Sequence, residues 1–497
     1  MKFSLFRNIF RLFVLNFLVY SLLGSSLAAF DIGSTGTSFS LPYRCQIQDD
    51  QVCNYLDTSS IGQTVDTETR SLALPNRLLE NDFNVFVNPG QLMNYGTAYL
   101  EGWRGGNNVW GGATIPLPGN QKLGVFLRRP TNTLSAAGSV ATLFNTYKLD
   151  GTTNLPGTTA TTIPVTGSSA GITGTQYGIL DTTRKGFGNI DLLYATGVSG
   201  MNLGFRLSYA NVSASEEKNN PAAGITKSIE KVSTHDIQAS VGAQIKSIGP
   251  GYLDATLTFG TLLSSYSYEE TAATGVNRAE ISGGFPITLG ALFRYILPSG
   301  ENRMIFALNI DYYNVPLNLS GQNAAGTSLH ALEAGSGMFN TTFDFAYHQK
   351  FEEQDLKVIY STGLGYLSTG YALKTTANPS GATDIFGGNS LDLDRVDNQF
   401  YVPLGIAAEH QTFETIKTRI GVRKNIMSFK SGEQKTIVAN TDTTRNFSNQ
   451  FFLDDELQVA MGLGWVPVSK VQIDLAMNAD AFNLTTFFSA VSVRYHY

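Results

Sequence analysis

The sequence predicts an all-β protein whose mature part forms one closed antiparallel transmembrane β-barrel of about 14–16 strands, with an N-terminal periplasmic or plug segment. Three observations lead to this fold class: apolar and polar side chains alternate at every second position, short and long connections alternate along the chain, and the N-terminus carries an export signal. Only 15 % of the 497 residues are charged, against roughly 25 % in soluble globular chains. A barrel that alternates lipid-facing apolar residues with small polar lumen residues has this composition.

Alternation dominates the chain from about residue 91 to the end. The clearest run places five large apolar side chains on one face: Met304, Phe306, Leu308, Ile310 and Tyr312. Successive side chains of a strand point to opposite faces, so the intervening polar residues form a second wall. Residues 202–209, 339–348 and 471–478 repeat the pattern. A soluble β-sandwich would alternate in the same way, so the compartment must be argued from other features.

The connections alternate in length, as in outer-membrane barrels with short periplasmic turns and longer external loops. Short connections are expected at residues 248–251, 298–301, 351–354, 411–413 and 467–470. Long loops are expected at about 130–186, 211–232, 268–280, 316–336, 373–395 and 431–449. Sixteen strands are then expected to begin near residues 91, 107, 121, 187, 199, 233, 252, 281, 302, 337, 356, 396, 414, 450, 470 and 486.

The N-terminus has the pattern of a cleavable secretory signal. Lys2, Arg7 and Arg11 precede the apolar stretch 12–23, and Ser26-Leu27-Ala28 offers a small-x-small cleavage site. We therefore expect a signal peptide at 1–28, cleavage near Ala28 and a location in the outer membrane of a Gram-negative bacterium. Cleavage of the signal peptide would remove Lys2, Arg7 and Arg11 and change the formal net charge of the protein from −6 to −9. Such an acidic protein is a poor partner for nucleic acid.

The two cysteines, Cys45 and Cys53, both lie just after the expected cleavage point. In an oxidising periplasm, such a pair at short spacing predicts one disulfide that closes a small loop. Residues 29–90 are accordingly expected to form a periplasmic or plug segment braced by this disulfide. Residues 91–497 are expected to form the barrel.

The final strand ends on an aromatic residue, with four side chains on one face: Val491, Val493, Tyr495 and Tyr497. This pattern resembles the C-terminal β-signal that the barrel-assembly machinery recognises in outer-membrane proteins. The expected partners are therefore that machinery, outer-membrane lipid and lipopolysaccharide, and a small solute in the lumen.

Asn88-Pro89-Gly90 directly precedes the first expected strand, Gln91 to Gly102. This arrangement resembles the start of FadL/PorV-type barrels, in which a segment carrying an Asn-Pro-Ala motif leads into the first strand and can plug the lumen. Gly90 stands where alanine is usual in that family. The resemblance implies a hatch motif at Asn88, Pro89 and Gly90 and passage of hydrophobic small molecules. The alternative is that Asn-Pro-Gly forms a structural turn with no role in transport.

Charged residues on the polar faces of strands are candidates for the lumen wall. The bases are Arg206, Arg294, Arg303, Lys417, Arg419, Arg423 and Arg494, and the acids are Asp254, Asp311, Asp344 and Asp474. A basic ladder facing acids would bias ion passage. The alternative is a lumen of mutually paired charges without selectivity.

The histidines occur singly, and no phosphate-binding or nucleophile-elbow motif is present, so the sequence predicts neither an enzyme nor a cofactor. The leading expectation is an outer-membrane channel or transporter that passes small, hydrophobic molecules through a partly plugged barrel. The alternatives are a general diffusion porin and a non-transport surface anchor or adhesin.

Overall fold

A computed structural model describes residues 66–103, 109–129, 188–222, 225–272, 275–283, 287–322, 328–377, 391–438, 441–452, 458–478 and 488–497. All of these residues belong to one compact unit that spans residues 47–497. The signal peptide expected at 1–28, the disulfide expected between Cys45 and Cys53, and the loop expected at 130–186 lie outside the described residues.

The described residues contain eighteen β-segments in chain order. They are β1 Thr97–Trp103, β2 Val109–Leu117, β3 Gln121–Leu127, β4 Gly188–Val198, β5 Met201–Ala222, β6 Ile225–Ile248, β7 Gly251–Ala272, β8 Gly275–Gly283, β9 Ile287–Ser299, β10 Asn302–Gln322, β11 Ser328–Phe351, β12 Leu356–Ala377, β13 Leu391–Phe413, β14 Ile416–Val438, β15 Thr441–Phe452, β16 Gln458–Val468, β17 Val471–Asn478 and β18 Phe488–His496.

Two pairs of segments each make one barrel strand. Segments β8 and β9 both pair with β7 and β10, and the upper and lower parts of β14 pair with β15 and β16. The eighteen segments of the described chain therefore form sixteen strands. The strand number and the antiparallel barrel expected from the sequence are confirmed.

The sheet closes where its first and last strands meet. Strand β1 pairs with β2 on one side and with β18 on the other, from Thr97 opposite His496 to Trp103 opposite Ala490. Every strand thus has two antiparallel neighbours over the lower part of the barrel. Closure matters because an open sheet edge in lipid leaves backbone groups unpaired, at a cost of several kcal/mol each.

The two faces of the sheet differ as the alternation predicts. On β11, Phe343 points outward and is 50 % exposed, whereas the adjacent Asp344 is buried in the lumen. Outward residues such as Leu257 and Leu364 are exposed around the whole circumference, while inward neighbours such as Asn309 are buried. The outer face is therefore apolar and the inner face is largely polar.

Short turns lie at one end of the barrel, here called the short-turn end, which also holds Thr97 and the C-terminal Tyr497. The short connections expected at 248–251, 298–301, 351–354 and 467–470 are confirmed, whereas the one expected at 411–413 is wrong, because those residues end β13 and the turn lies at 414–415. At the other end, the loops expected at 211–232, 268–280, 316–336 and 431–449 are wrong, because most of these residues extend β5–β8, β10, β11, β14 and β15. Residues 213–220, for example, are almost all polar, yet they pair through their backbones, which any residue except proline can do. In β10 the alternation continues at Val315, Leu317 and Leu319, so the loop expected from residue 316 began too early.

Residues 66–96, here called the inner segment, precede β1 and lie inside the barrel. They contain two short α-helices, Thr67–Ser71 and Asn84–Val87, and the 3-10 helices Asn76–Leu78 and Pro89–Asn94; a further 3-10 helix, Glu352–Gln354, forms a turn. The strand start expected near residue 91 is too early, since Pro89 fills the first helical position and the Asn88 side chain accepts from the Gly90 N–H.

In the described part of the chain, no helix has the length and apolar character needed to cross a membrane.

Two apolar clusters join the inner segment to the wall. The first packs residues such as Leu74 and Leu78 against Leu292, Ile296 and Ile305 of β9 and β10. The second packs residues of the helix Asn84–Val87 and its neighbours against β1–β4. The hydrophobic core therefore lies within the lumen and consists of these two clusters, one on each side of the inner segment.

Candidate functional site: the lumen and its inner segment

The expected hatch motif contacts the inner wall formed by β5, β6 and β7. The Asn88 side chain donates to the Ala243 carbonyl at 2.9 Å and to Asp254 Oδ1 at 3.2 Å, and its own oxygen accepts from the Gly90 N–H. Asn88 is fully buried. A single asparagine thus holds the wall through its amide nitrogen and the turn of its own segment through its amide oxygen.

Gly90 lies so close to this wall that a larger residue would not fit. A Cβ at position 90 would stand 2.7 Å from the Asn202 carbonyl oxygen. On the wall side, a Cβ at Gly204 would collide with the backbone of Pro89 and Gly90. The departure from the usual alanine at position 90 therefore has a steric reason in this chain.

The middle of the inner segment is held by charged wall residues that the sequence singled out. Arg294 donates to the Leu79 carbonyl at 2.7 Å and to Asp254 at 2.6 Å. Arg206 donates to the Phe86 carbonyl at 3.0 Å. Both wall guanidinium groups are buried, so each satisfies backbone carbonyls of the segment that would otherwise be desolvated without a partner.

Three further wall residues meet the segment at its 3-10 helix Asn76–Leu78 and just beyond. Arg77 pairs with Asp344 at 2.6 Å, and His348 Nε2 donates to the Leu78 carbonyl at 2.8 Å. Arg303 pairs with Glu80 near the short-turn end, where the arginine side chain is 51 % exposed. Asp344 and Arg303 therefore bind the segment rather than each other.

The first turn of the segment enters a dense charge cluster, here defined as Asp66, Glu68, Asp82, Glu409, Arg419, Asp474 and Arg494. Arg494 reaches Asp66 at 2.5 Å and both Glu68 and Asp82 at 2.8 Å. Arg419 reaches Asp474 at 2.5 Å and Glu409 at 2.6 Å. Both arginine side chains are at most 3 % exposed, so solvent screens these charges only weakly.

Carboxylates outnumber guanidinium groups in the charge cluster, so some of the acids have a strong tendency to hold a proton. Burial and the neighbouring carboxylate of Glu68 raise the pKa of Asp66 to about 7, against the opposing effect of Arg494. Burial also raises the pKa of Glu68, but Arg419 and Arg494 outweigh it and lower that pKa to about 2. Burial raises the pKa of Asp82 as well, against the opposing effect of Arg494. Asp66 and Asp82 therefore both favour the protonated form, whereas Glu68 remains ionised.

The other expected lumen residues also belong to the wall. Asp311 is buried and accepts from Asn309 at 2.5 Å. Lys417 lies 3.4 Å from Glu409 at the edge of the charge cluster, and Arg423 is buried further up the same strand. The expected C-terminal residues Val491, Val493, Tyr495 and Tyr497 are all exposed on the outer face of β18 and its end.

The sequence did not predict which residues of the inner segment make these contacts. Asp66, Glu68 and Asp82 have no periodicity, and their partner Arg494 lies 428 positions from Asp66. The buried pair Arg129 and Asp191, at 2.7 Å, was also missed. Arg129 follows Arg128, whose positive φ of 62° breaks the alternation of β3 and turns the next side chain inward.

A closed sheet with an apolar outer face and a polar lumen defines a membrane-spanning β-barrel. This one carries its own N-terminal segment inside the lumen. The fold alone therefore assigns the protein to the membrane-spanning β-barrels.

No protein-family model and no curated protein matches the sequence. Among solved structures, it resembles the Pseudomonas putida toluene transporter TodX, with 9 % identity, a TM-score of 0.34, and coverage of 90 % of this chain and 97 % of that one. A Pseudomonas aeruginosa FadL homologue matches with 12 % identity, a TM-score of 0.39, and coverage of 88 % and 100 %.

The transport unit of the Escherichia coli autotransporter AIDA-I also matches, with 10 % identity, a TM-score of 0.28, and coverage of 60 % of this chain and 91 % of that one. The weak resemblance to FadL-type barrels is thereby confirmed as a resemblance. Identities near a tenth and TM-scores below 0.5 assign neither a family nor a substrate.

Substituting Arg494 should release the inner segment. In Arg494→Gln, the carboxylates of Asp66, Glu68 and Asp82 lose their guanidinium partner, which should weaken docking by about 3–5 kcal/mol. Trypsin should then cleave at Arg70 and Arg77 at least about a hundredfold faster, as measured by mass spectrometry of the native protein. The matched control is Arg303→Gln, whose exposed pair with Glu80 should contribute about 0–1 kcal/mol. Equal cleavage in the two variants would contradict the assigned role of the charge cluster.

Docking should weaken as the pH rises from about 5 to about 8. The docked segment binds the Asp66 proton more tightly than a free chain does, because its pKa is raised from 3.8 to about 7. That stabilisation is complete below the ordinary value and is lost as pH rises through about 7. Glu68 acts in the opposite direction, but only as pH falls from its ordinary 4.5 toward about 2.

The trypsin assay is unsuited to this pH range, so hydrogen exchange of the inner segment, corrected for intrinsic rates, is the measurement. Asp66→Asn should flatten the dependence between pH 5 and pH 8, whereas Asp311→Asn on the opposite wall should leave it unchanged. A slope that persists in Asp66→Asn would assign the proton to another group.

Proposed function

We propose that this protein is an outer-membrane channel that passes small hydrophobic molecules, and that the inner segment is the plug that closes it. The observation that carries the proposal is the position of the segment, which crosses the lumen from the charge cluster to the Asn88 contacts. Barrels of this strand number are wide enough to enclose an aqueous channel. An internal segment of this kind narrows that channel.

The plug is attached by contacts that can exchange for water or solute. Its polar anchors are side chains on eight or more different strands rather than a continuous β-ladder, as the pairs of Arg77, Asp66 and Asn88 illustrate. Such anchors can be lost in groups while the barrel remains closed. The barrel's own backbone pairing, from β1 to β18, is made between strands and includes no residue of the plug.

A hydrophobic solute suits the surfaces that plug movement would uncover. The wall beneath the plug presents Leu292, Ile296 and Ile305 on one side and Tyr99, Trp110 and Phe126 on the other. Apolar wall exposed to lumen water costs about 25 cal/mol per Å². A passing apolar molecule would recover part of that free energy, whereas a hydrated sugar or ion would not.

Orientation follows from the turns and the C-terminus. We infer that the short-turn end faces the periplasm, as in outer-membrane barrels generally. Val491, Val493, Tyr495 and Tyr497 would then be read by the barrel-assembly machinery during insertion, and the upper parts of the long strands would meet lipopolysaccharide. The disulfide between Cys45 and Cys53 would brace the periplasmic part of the plug.

The surface-anchor alternative retains one specific observation in its favour. Strands β5–β7 and β10–β14 have 21 to 24 residues, about twice the 9–11 needed to cross a bilayer. Their upper parts form a wall that could bind a partner at the cell surface. A diffusion porin is less well supported, because the charged lumen residues Arg294, Arg419 and Asp344 hold the plug instead of lining an open pore.

Deleting residues 30–94 should convert a closed barrel into a conducting one. In planar bilayers the intact protein should show rare, brief openings, and the deletion variant should show a steady conductance. Arg494→Gln is a milder second variant and should increase the open fraction without shortening the chain. An intact protein that already conducts steadily, with no change on deletion, would favour the diffusion porin. A deletion variant that folds but stays closed would favour the surface anchor.

A further inference from the structure

Five aromatic rings meet where the inner segment touches β1–β3. Phe83 and Phe86 come from the segment, and Tyr99, Trp110 and Phe126 come from the wall. Ring centroids are 4.7 Å apart for Tyr99 and Trp110, 4.8 Å for Phe86 and Phe126, and 4.9 Å for Phe83 and Phe86. These separations are those of favourable tilted and edge-to-face pairs.

The wall half of this arrangement, here called the aromatic pocket, consists of Tyr99, Trp110 and Phe126, with Leu193 and Ala195 beside them. All five residues are buried, but the segment provides the rings that cover them. Phe83 lies 5.6 Å from Trp110 and 6.0 Å from Tyr99, and Phe86 lies 6.0 Å from Trp110. If the segment moves, the pocket loses its cover and needs another apolar occupant.

Phe83 and Phe86, which cover the pocket, leave one polar group of Trp110 without a hydrogen bond among the described residues. The Trp110 side chain is 2 % exposed, and its indole N–H has no acceptor among the described residues. A buried donor without a partner costs roughly 1–3 kcal/mol. Phenylalanine rings cannot accept this hydrogen bond in the ordinary way, whereas a molecule with a ring and an oxygen atom could.

Two arginines border the pocket, but both are already neutralised. The Arg129 guanidinium lies 4.5 Å from the centre of the Phe86 ring and is paired with Asp191. The Arg494 guanidinium lies 5.4 Å from the Tyr99 ring and is paired with Asp66. Each of these positive charges already has a carboxylate, and the buried Glu101 carboxylate beside Tyr99 accepts from the Tyr99 hydroxyl and the Thr67 N–H. These charged groups are therefore already engaged within the protein. The surroundings therefore favour a neutral molecule.

We propose that Tyr99, Trp110 and Phe126 bind a neutral aromatic molecule of one or two rings that carries one acceptor oxygen, and that Phe83 and Phe86 occupy the same site when the segment is docked. The inference deepens the proposed function, because it names the solute class and the residues that compete with it. The Trp110 indole N–H donates to the oxygen of the ligand, and the rings of Tyr99 and Phe126 enclose its aromatic part.

Equilibrium dialysis on the detergent-solubilised full chain tests the site with three probes of similar size. Acetophenone has both a ring and an acceptor, ethylbenzene has only the ring, and cyclohexyl methyl ketone has only the acceptor. The expected order of affinity is acetophenone first, with each of the other two at least about fivefold weaker. Equal binding of all three probes would overturn the proposal.

Two variants separate competition from general loosening. Phe86→Ala removes one competing ring and should tighten acetophenone binding at least about tenfold. Leu79→Ala removes an apolar side chain of the same segment from the other cluster and should raise the affinity less than Phe86→Ala does, because Phe83 and Phe86 still cover the aromatic pocket. Equal gains in both variants, or no saturable binding in Phe86→Ala, would overturn the self-occupied site.

The hydrogen bond has its own readout. Trp110→Phe keeps a ring but removes the donor, so acetophenone should lose its advantage over ethylbenzene while both still bind. A retained advantage would contradict the role of the indole. Dialysis in detergent is independent of conductance, so binding in a barrel that never conducts would reject the channel and keep the site. Conductance on deletion without probe binding would reject the site and keep the channel.

Discussion

Pairing of β1 with β18 is the constraint on which the rest of the structure depends. Once Thr97–Trp103 lies against Ala490–His496, every strand of the lower barrel has two neighbours and no backbone group must face lipid unpaired. Closure also forces alternate side chains into a lumen. Because those side chains include Arg294, Asp344 and Arg494, the lumen contains charges that require partners.

The inner segment supplies those partners and receives its own shape from them. It has little regular structure, with helices too short to be stable alone. Its conformation is instead fixed by wall contacts. At one end its carboxylates pair with Arg494, and at the other end Asn88 forms hydrogen bonds with the wall. Buried ion pairs give specificity of position more than net stability, since desolvation offsets much of their attraction. A plug held in this way has one docked position and can still be released.

The barrel could be predicted from the sequence because its signal is local. Outward residues such as Leu308 and Phe343 recur at every second position, and turns such as Gly249-Pro250 mark the short-turn end. Extended upper strands such as residues 213–220 were missed because they are almost entirely polar and carry no such alternation. The plug contacts were missed because they join residues as distant as Asp66 and Arg494, for which a single sequence holds no signal. Asn88 was found through a motif, but the contacts that explain Gly90 required the structure.

The central claim is that residues 66–94 lie docked inside the lumen of the folded protein. Amide hydrogen exchange of the intact chain in lipid nanodiscs tests it most directly. We expect peptides from this segment to be protected at pH 6, for hours rather than seconds, and to lose protection in Arg494→Gln while peptides from β10–β13 stay protected. Complete exchange of the segment within seconds in the unmodified protein would show that the lumen does not hold it.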